Sequence, residues 1–128
     1  MPLSSARRPL WGILALLVGS SLACGGLDTQ DCIGAVVHGG QTYQPESGVP
    51  DAVDAQRMAC NQYCLLGDDE YEAMYGIWVS SPAGDASVSK KDAIYSDQRL
   101  LDYVTITCAD RCVEAVAAGQ MQGSVTCQ

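Results

Sequence analysis

Two cysteine pairs of identical spacing constrain this chain more than any other feature. They are Cys60-Asn61-Gln62-Tyr63-Cys64 and Cys108-Ala109-Asp110-Arg111-Cys112. On a helix, residues i and i+4 lie one turn apart on the same face. Two such helices packed side by side therefore present two rungs of thiols to each other. An antiparallel arrangement pairs Cys60–Cys112 and Cys64–Cys108; a parallel one pairs Cys60–Cys108 and Cys64–Cys112. The 43 intervening residues permit either, and the antiparallel hairpin, as the simpler connection, is the expected one.

The flanking sequence supplies the helices. Pro50-Asp51 reads as a helix entrance, with Asp54 in the first turn where negative charge is favoured. No Gly or Pro interrupts Ala52 to Leu66, and Gly67 suits a stop, which predicts a helix over 51–66. A second major helix is expected from Ser96 or Asp97 to Ala118, stopped by Gly119. Leu101, Val104, Cys108, Cys112 and Ala115 build its stripe. The alternating, β-branched run Tyr103-Val104-Thr105-Ile106-Thr107 competes with it as a strand. Between the two, Asp68 to Tyr75 reads as a short helix ended by Gly76, Ile77-Trp78-Val79 as a β-prone run, and residues 80–92 as an exposed loop. Before them, Gly34 to His38 reads as a short strand or extended segment among glycines and prolines.

The N-terminus carries a different signal. Arg7 and Arg8 precede fourteen uncharged residues, Leu10 to Ala23. That run is short of the about 20 helical residues that span a bilayer, and it suits the apolar region of a signal peptide. A buried N-terminal core helix is the plainer alternative. Ser21-Leu22-Ala23-Cys24-Gly25 resembles the lipobox of bacterial lipoprotein signal peptides. The resemblance implies lipidation at Cys24, cleavage after residue 23 and attachment to a membrane by the acyl chains. Ordinary secretory cleavage near Ala23 is the other route. Gly25 stands where an Asp favours retention in the inner membrane, so the resemblance implies the outer membrane. The expected organisation is a signal peptide at 1–23, an anchor and tether at 24–31, and a disulfide-rich, mainly helical domain at 32–128.

Cysteine arithmetic agrees with this division. Seven cysteines leave one over in an exported protein. With Cys24 set aside for lipid, six remain, and Cys32 with Cys127 becomes the third pair, tying the ends of the domain. Three nested links would matter in a chain without Phe, in which Trp78 is the largest aromatic after residue 23. The expected fold is a small disulfide-stapled domain, mainly α, with two major helices joined at the twin pairs and short β or extended segments.

Other readings of the same residues stay open. Four thiolates would hold zinc, although zinc sites favour tighter spacings. A redox pair normally uses CxxC. The twin CxxxC pattern also resembles the small Tim chaperones of mitochondria, whose helical hairpin shields apolar segments; the connection here is far longer, so only the staple geometry carries over. His38, the single histidine, is a candidate base or ligand or simply a surface residue. Asp68, Asp69, Glu70 and Glu72 lack the alternation of a calcium loop and read as a helix-starting cluster. Tyr43, Tyr63, Tyr71, Tyr75, Tyr95 and Tyr103 fit either a recognition surface or packing.

Function follows more thinly. A net charge of −8 disfavours binding to nucleic-acid phosphates. No catalytic set, phosphate loop or cofactor motif stands out. The expectation is a non-catalytic structural or interaction module of the cell envelope, anchored to membrane by lipid and facing an envelope protein. The rival is a metal- or ligand-binding protein that uses the acidic cluster or the thiols.

Overall fold

The computed structural model describes residues 30–128. The signal segment 1–23, the lipidation candidate Cys24 and nearly all of the tether lie outside the described residues.

The domain is mainly helical, with a three-stranded antiparallel sheet packed on one helix. Strand β1 (Cys32–His38) is the central strand, β2 (Gln41–Tyr43) and β3 (Gln122–Cys127) flank it, and the order is β2-β1-β3. The β-leaning run is thus longer than its apolar core, and it opens a hairpin. Gly39 and Gly40 form the two-residue connection to β2 with φ of 59° and 80°. Both values are left-handed, which the favoured hairpin turn requires and glycine supplies without steric cost. Cys32, Gly34 and Val36 are buried, while the residues between them are half-buried. This alternation sets one face of β1 against helix α1 (Ala52–Leu66). A side chain at position 34 would collide with the Ala55 carbonyl, so glycine there permits the close approach of helix and strand.

Helix α1 begins where the sequence places it. The Asp51 side chain caps it by accepting from the Asp54 N–H at 3.0 Å, and at its end the Gly67 N–H donates to the Tyr63 carbonyl at 2.7 Å. Ala55, Ala59 and Tyr63, with Cys60 and Cys64, make its buried face.

Helix α2 (Asp69–Val79) corrects the expected stop at Gly76 and the β-prone reading of Ile77-Trp78-Val79. It runs through the glycine and ends two turns after Glu72. A glycine inside a helix costs about 1 kcal/mol relative to alanine. Continuing the helix places Trp78 on the same face as Tyr71 and leaves it 3% exposed. Burial of that ring is worth more than the glycine penalty.

After a loop, the short helices α3 (Lys90–Ala93) and α4 (Gln98–Asp102) lead into a π-helical turn at Tyr103–Cys108 and then α5 (Ala109–Ala117). Together, 98–117 is the second major helix, and no strand forms at 103–107. Asp97 caps it through the Arg99 N–H at 2.8 Å, and Gly119 follows its end with φ 77°. The π turn has a geometric reason. Leu100, Val104, Cys108 and Cys112 are all buried at steps of four. In a regular α-helix each such step drifts by about 40°, whereas the wider i→i+5 turn holds them on one face. Thr105 in this turn donates its hydroxyl to the Leu101 carbonyl at 2.7 Å, and its own carbonyl accepts from Arg57 of α1 at 2.7 Å.

Strand β3 lies in a stretch for which the sequence predicts no element. It pairs with β1 over six consecutive residues, from Cys32 opposite Cys127 to Val37 opposite Gln122. No described helix is long and apolar enough to cross a membrane.

Candidate functional site

The helix spacing brings the thiols together as rungs. Cys60 is joined to Cys112 and Cys64 to Cys108, with Cα separations of 5.7 and 6.1 Å, so α1 and the second major helix run antiparallel at this point. Cys32 and Cys127 are directly opposed across β1 and β3 and form the third bond, at a Cα separation of 4.0 Å. All six described cysteines are therefore disulfide-bonded. A zinc site or a nucleophilic thiol requires free thiolate, which these residues do not supply.

Beside the rungs lies a cavity of about 180 Å³, walled by Tyr63, Asp68, Arg111 and Met121 with Cys108 and Cys112 in its lining. Its polar side is a chain of short bonds. The Asp68 carboxylate caps α2 at the Tyr71 N–H (3.0 Å) and accepts from the Tyr103 hydroxyl at 2.6 Å. That hydroxyl accepts in turn from the Arg111 guanidinium at 2.6 Å. Arg111 also sits 5.5 Å over the Tyr103 ring and reaches Glu70 at 3.3 Å. Burial pushes the Tyr103 hydroxyl far up from its ordinary value, and its hydrogen bond to Asp68 adds to the rise. Tyr63 is raised too, first by burial and then by the charges of Asp68 and Asp69. Both phenols stay protonated at neutral pH, and Tyr103 acts as a connector between the start of α2 and α5, not as a base.

The acidic cluster is divided by the same contacts. Asp68 is committed to Tyr71 and Tyr103, Glu70 to Arg111, and Glu72 lies 3.7 Å from Lys90. Among the described residues no group of three or more His, Cys, Asp or Glu is placed to hold a metal ion. His38 is exposed at the end of β1, its ring edge-on to Tyr63 at 5.0 Å; Tyr43 meets the same ring at 5.6 Å.

The tyrosines separate into two populations. Tyr63, Tyr71 and Tyr103 are buried, and Tyr43 and Tyr75 are packed against the core. Tyr95 alone of the six is wide open, at 79% exposure. It borders a second cavity of about 200 Å³ with Met58, Asn61, Leu65, Ile94 and Leu101. The Asn61 side-chain oxygen in this wall is buried without a hydrogen-bond partner among the described residues. A buried amide oxygen without a partner is costly. No local sequence pattern signals this groove, because its walls come from α1, the 94–95 turn and the second major helix. The nearest trace was the apolar spacing of Ile94, Leu101 and Val104, which reads equally as core.

No protein-family model, no curated protein and no solved structure matches this chain.

Proposed function

We propose that the protein is a small acidic lipoprotein of the bacterial envelope, lipid-anchored through Cys24 to the outer membrane, serving as a non-catalytic interaction or structural module. The observation that carries the reading is the closure of all six described cysteines into disulfides, which persist in oxidising compartments outside the cytosol. It leaves Cys24 as the odd thiol, at the position where the signal-peptide resemblance puts the lipid. The titratable groups near the rungs favour a binding role over catalysis, since each is engaged in holding elements together. The groove bordered by Tyr95 offers an envelope protein an exposed aromatic contact beside the apolar walls of Met58, Leu65 and Leu101, the kind of contact that recognition surfaces favour.

Intact mass of the protein purified from its host tests the anchor. The expected species begins at Cys24, carries acyl chains and takes up no alkylating reagent without prior reduction. A species that retains residues 1–23 or lacks acyl chains contradicts the anchor. A photo-crosslinking residue in place of Tyr95 tests the groove in intact cells: a discrete crosslinked envelope protein is expected, and absence of any crosslink contradicts that surface.

A further inference from the structure

The sheet has one edge that is long, regular and uncharged. Asp31 and Gln128 exchange both backbone hydrogen bonds, at 3.0 and 2.9 Å, while the Cys32 N–H and carbonyl bond to Val49 on the other side of β1. In an antiparallel ladder these two kinds of pair alternate. Thr126, Ser124 and Gln122 therefore bond inward to β1, and Cys127, Val125 and Gly123 turn their N–H and carbonyl groups outward. None of those three outward residues has another backbone partner among the described residues.

Such an edge invites a further strand unless it is blunted by charge, proline, a bulge or shortness. β3 has none of these. Its six residues, Gln-Gly-Ser-Val-Thr-Cys, carry no charge or proline, and its pairing to β1 runs without a bulge. The opposite edge, β2, is only three residues long.

We propose that β3 is the dimer interface of this protein and pairs antiparallel with β3 of a second copy. The self-complementarity argues for that occupant. A two-fold axis through Val125 sets Val125 opposite itself and Gly123 opposite Cys127 of the second copy, so every outward N–H meets an outward carbonyl. Both copies contribute the same outward set, as an isologous interface requires. Charge points the same way. In a chain of net charge −8, two copies repel, and a strand without carboxylates lets them meet with no like charges placed in direct contact. The result is a continuous six-stranded sheet, β2-β1-β3-β3-β1-β2, with α1 of both copies on one face.

The register supplies the test. Ser124 and Thr126 are exposed, and in this pairing Ser124 faces Thr126 of the second copy at a closely spaced position, where cross-strand side chains interact most. The full chain is purified in mild detergent and its protein mass followed with concentration, alongside S124K/T126K and S124K/T126E. Wild type is expected to double its protein mass, with the Gly123, Val125 and Cys127 amides gaining protection from hydrogen exchange as it does. The double-lysine variant is expected to weaken the dimer at least tenfold, and the lysine–glutamate variant to restore it, with thermal unfolding similar in all three. A protein that stays monomeric at high concentration overturns the proposal. So does a dimer equally strong in both variants, or protection of those amides in a monomer.

Discussion

The Cys64–Cys108 bond divides the domain into a bridged half and a looped-out half, and the two are built from different materials. The bridged half, β1, α1, α5 and β3, packs Ala55, Ala59, Val36 and Ala109 around three disulfides, with Tyr63 as its one buried aromatic among the described residues. The looped-out half, residues 65–107, contains no cysteine. Its core holds the large rings Tyr71, Trp78 and Tyr103, and its phenols are fastened to polar groups: Tyr71 donates to the Lys90 carbonyl at 2.6 Å, Tyr75 to the Val88 carbonyl at 2.5 Å and Tyr103 to Asp68. Where side chains are too small to bury much area, covalent bonds limit the unfolded chain. Where no bond exists, aromatic area and hydroxyl contacts hold the segment. One chain thus uses two solutions to the same shortage of apolar volume.

Breaking the covalent half has the largest expected effect. In the loop-entropy description one link closing some forty residues stabilises by about 4 kcal/mol, a large share of a small domain's total. Reduction under native conditions is expected to unfold the bridged half, seen as loss of helical circular dichroism at ambient temperature. Retention of the native spectrum after complete reduction contradicts the division.

Next comes the aromatic half. Trp78→Ala removes a ring that is 3% exposed and is expected to cost about 3–5 kcal/mol in denaturant unfolding with all disulfides intact. A loss below about 1 kcal/mol would show that α2 is held by something other than its buried face.

The phenol contacts predict a smaller, pH-dependent effect. Burial pushes the Tyr71 hydroxyl up to about 12. A group whose pKa is raised in the folded state stabilises fully below its unfolded value, near 10, and that contribution is lost as pH rises toward the folded value. Thermal stability is expected to fall between about pH 10 and 12. Tyr71→Phe, expected to cost about 1 kcal/mol at neutral pH, should flatten part of that fall; an unchanged alkaline slope would remove Tyr71 as its source.

The smallest effect is at the acidic end. Asp97, which caps the second major helix, is held below its ordinary carboxylate value chiefly by the Arg99 N–H. Its contribution is present above the unfolded value, near pH 4, and is lost as pH falls through the lower folded one. Asp97→Ala is expected to lower the melting temperature slightly at pH 7 and to narrow the gap to wild type below pH 3. A gap that widens in acid runs against this sign.

The same contrast explains what the sequence disclosed. The i, i+4 cysteines, Asp51, Gly67 and Gly119 are local signals, and they locate both helices of the bridged half and the face on which their thiols meet. The looped-out half is less legible in the sequence because its helix crosses Gly76 for the sake of a tertiary contact, the burial of Trp78. Gly39-Gly40 did signal a hairpin chemically, yet β2 is too short to show alternation. β3 is not legible locally because Gln122-Gly123-Ser124-Val125-Thr126-Cys127 has hardly any apolar pattern and gains its form by pairing with β1. The groove beside Tyr95 joins residues more than forty positions apart, which no local pattern reports.

Three nested disulfides organise this domain, and peptide mapping of the unreduced protein tests that organisation most directly. Protease fragments separated without reductant are expected to contain Cys32 linked to Cys127, Cys60 to Cys112 and Cys64 to Cys108. Fragments linking Cys60 to Cys108 or Cys64 to Cys112, or any of the six recovered as a free thiol, would contradict the antiparallel staple and the division built on it.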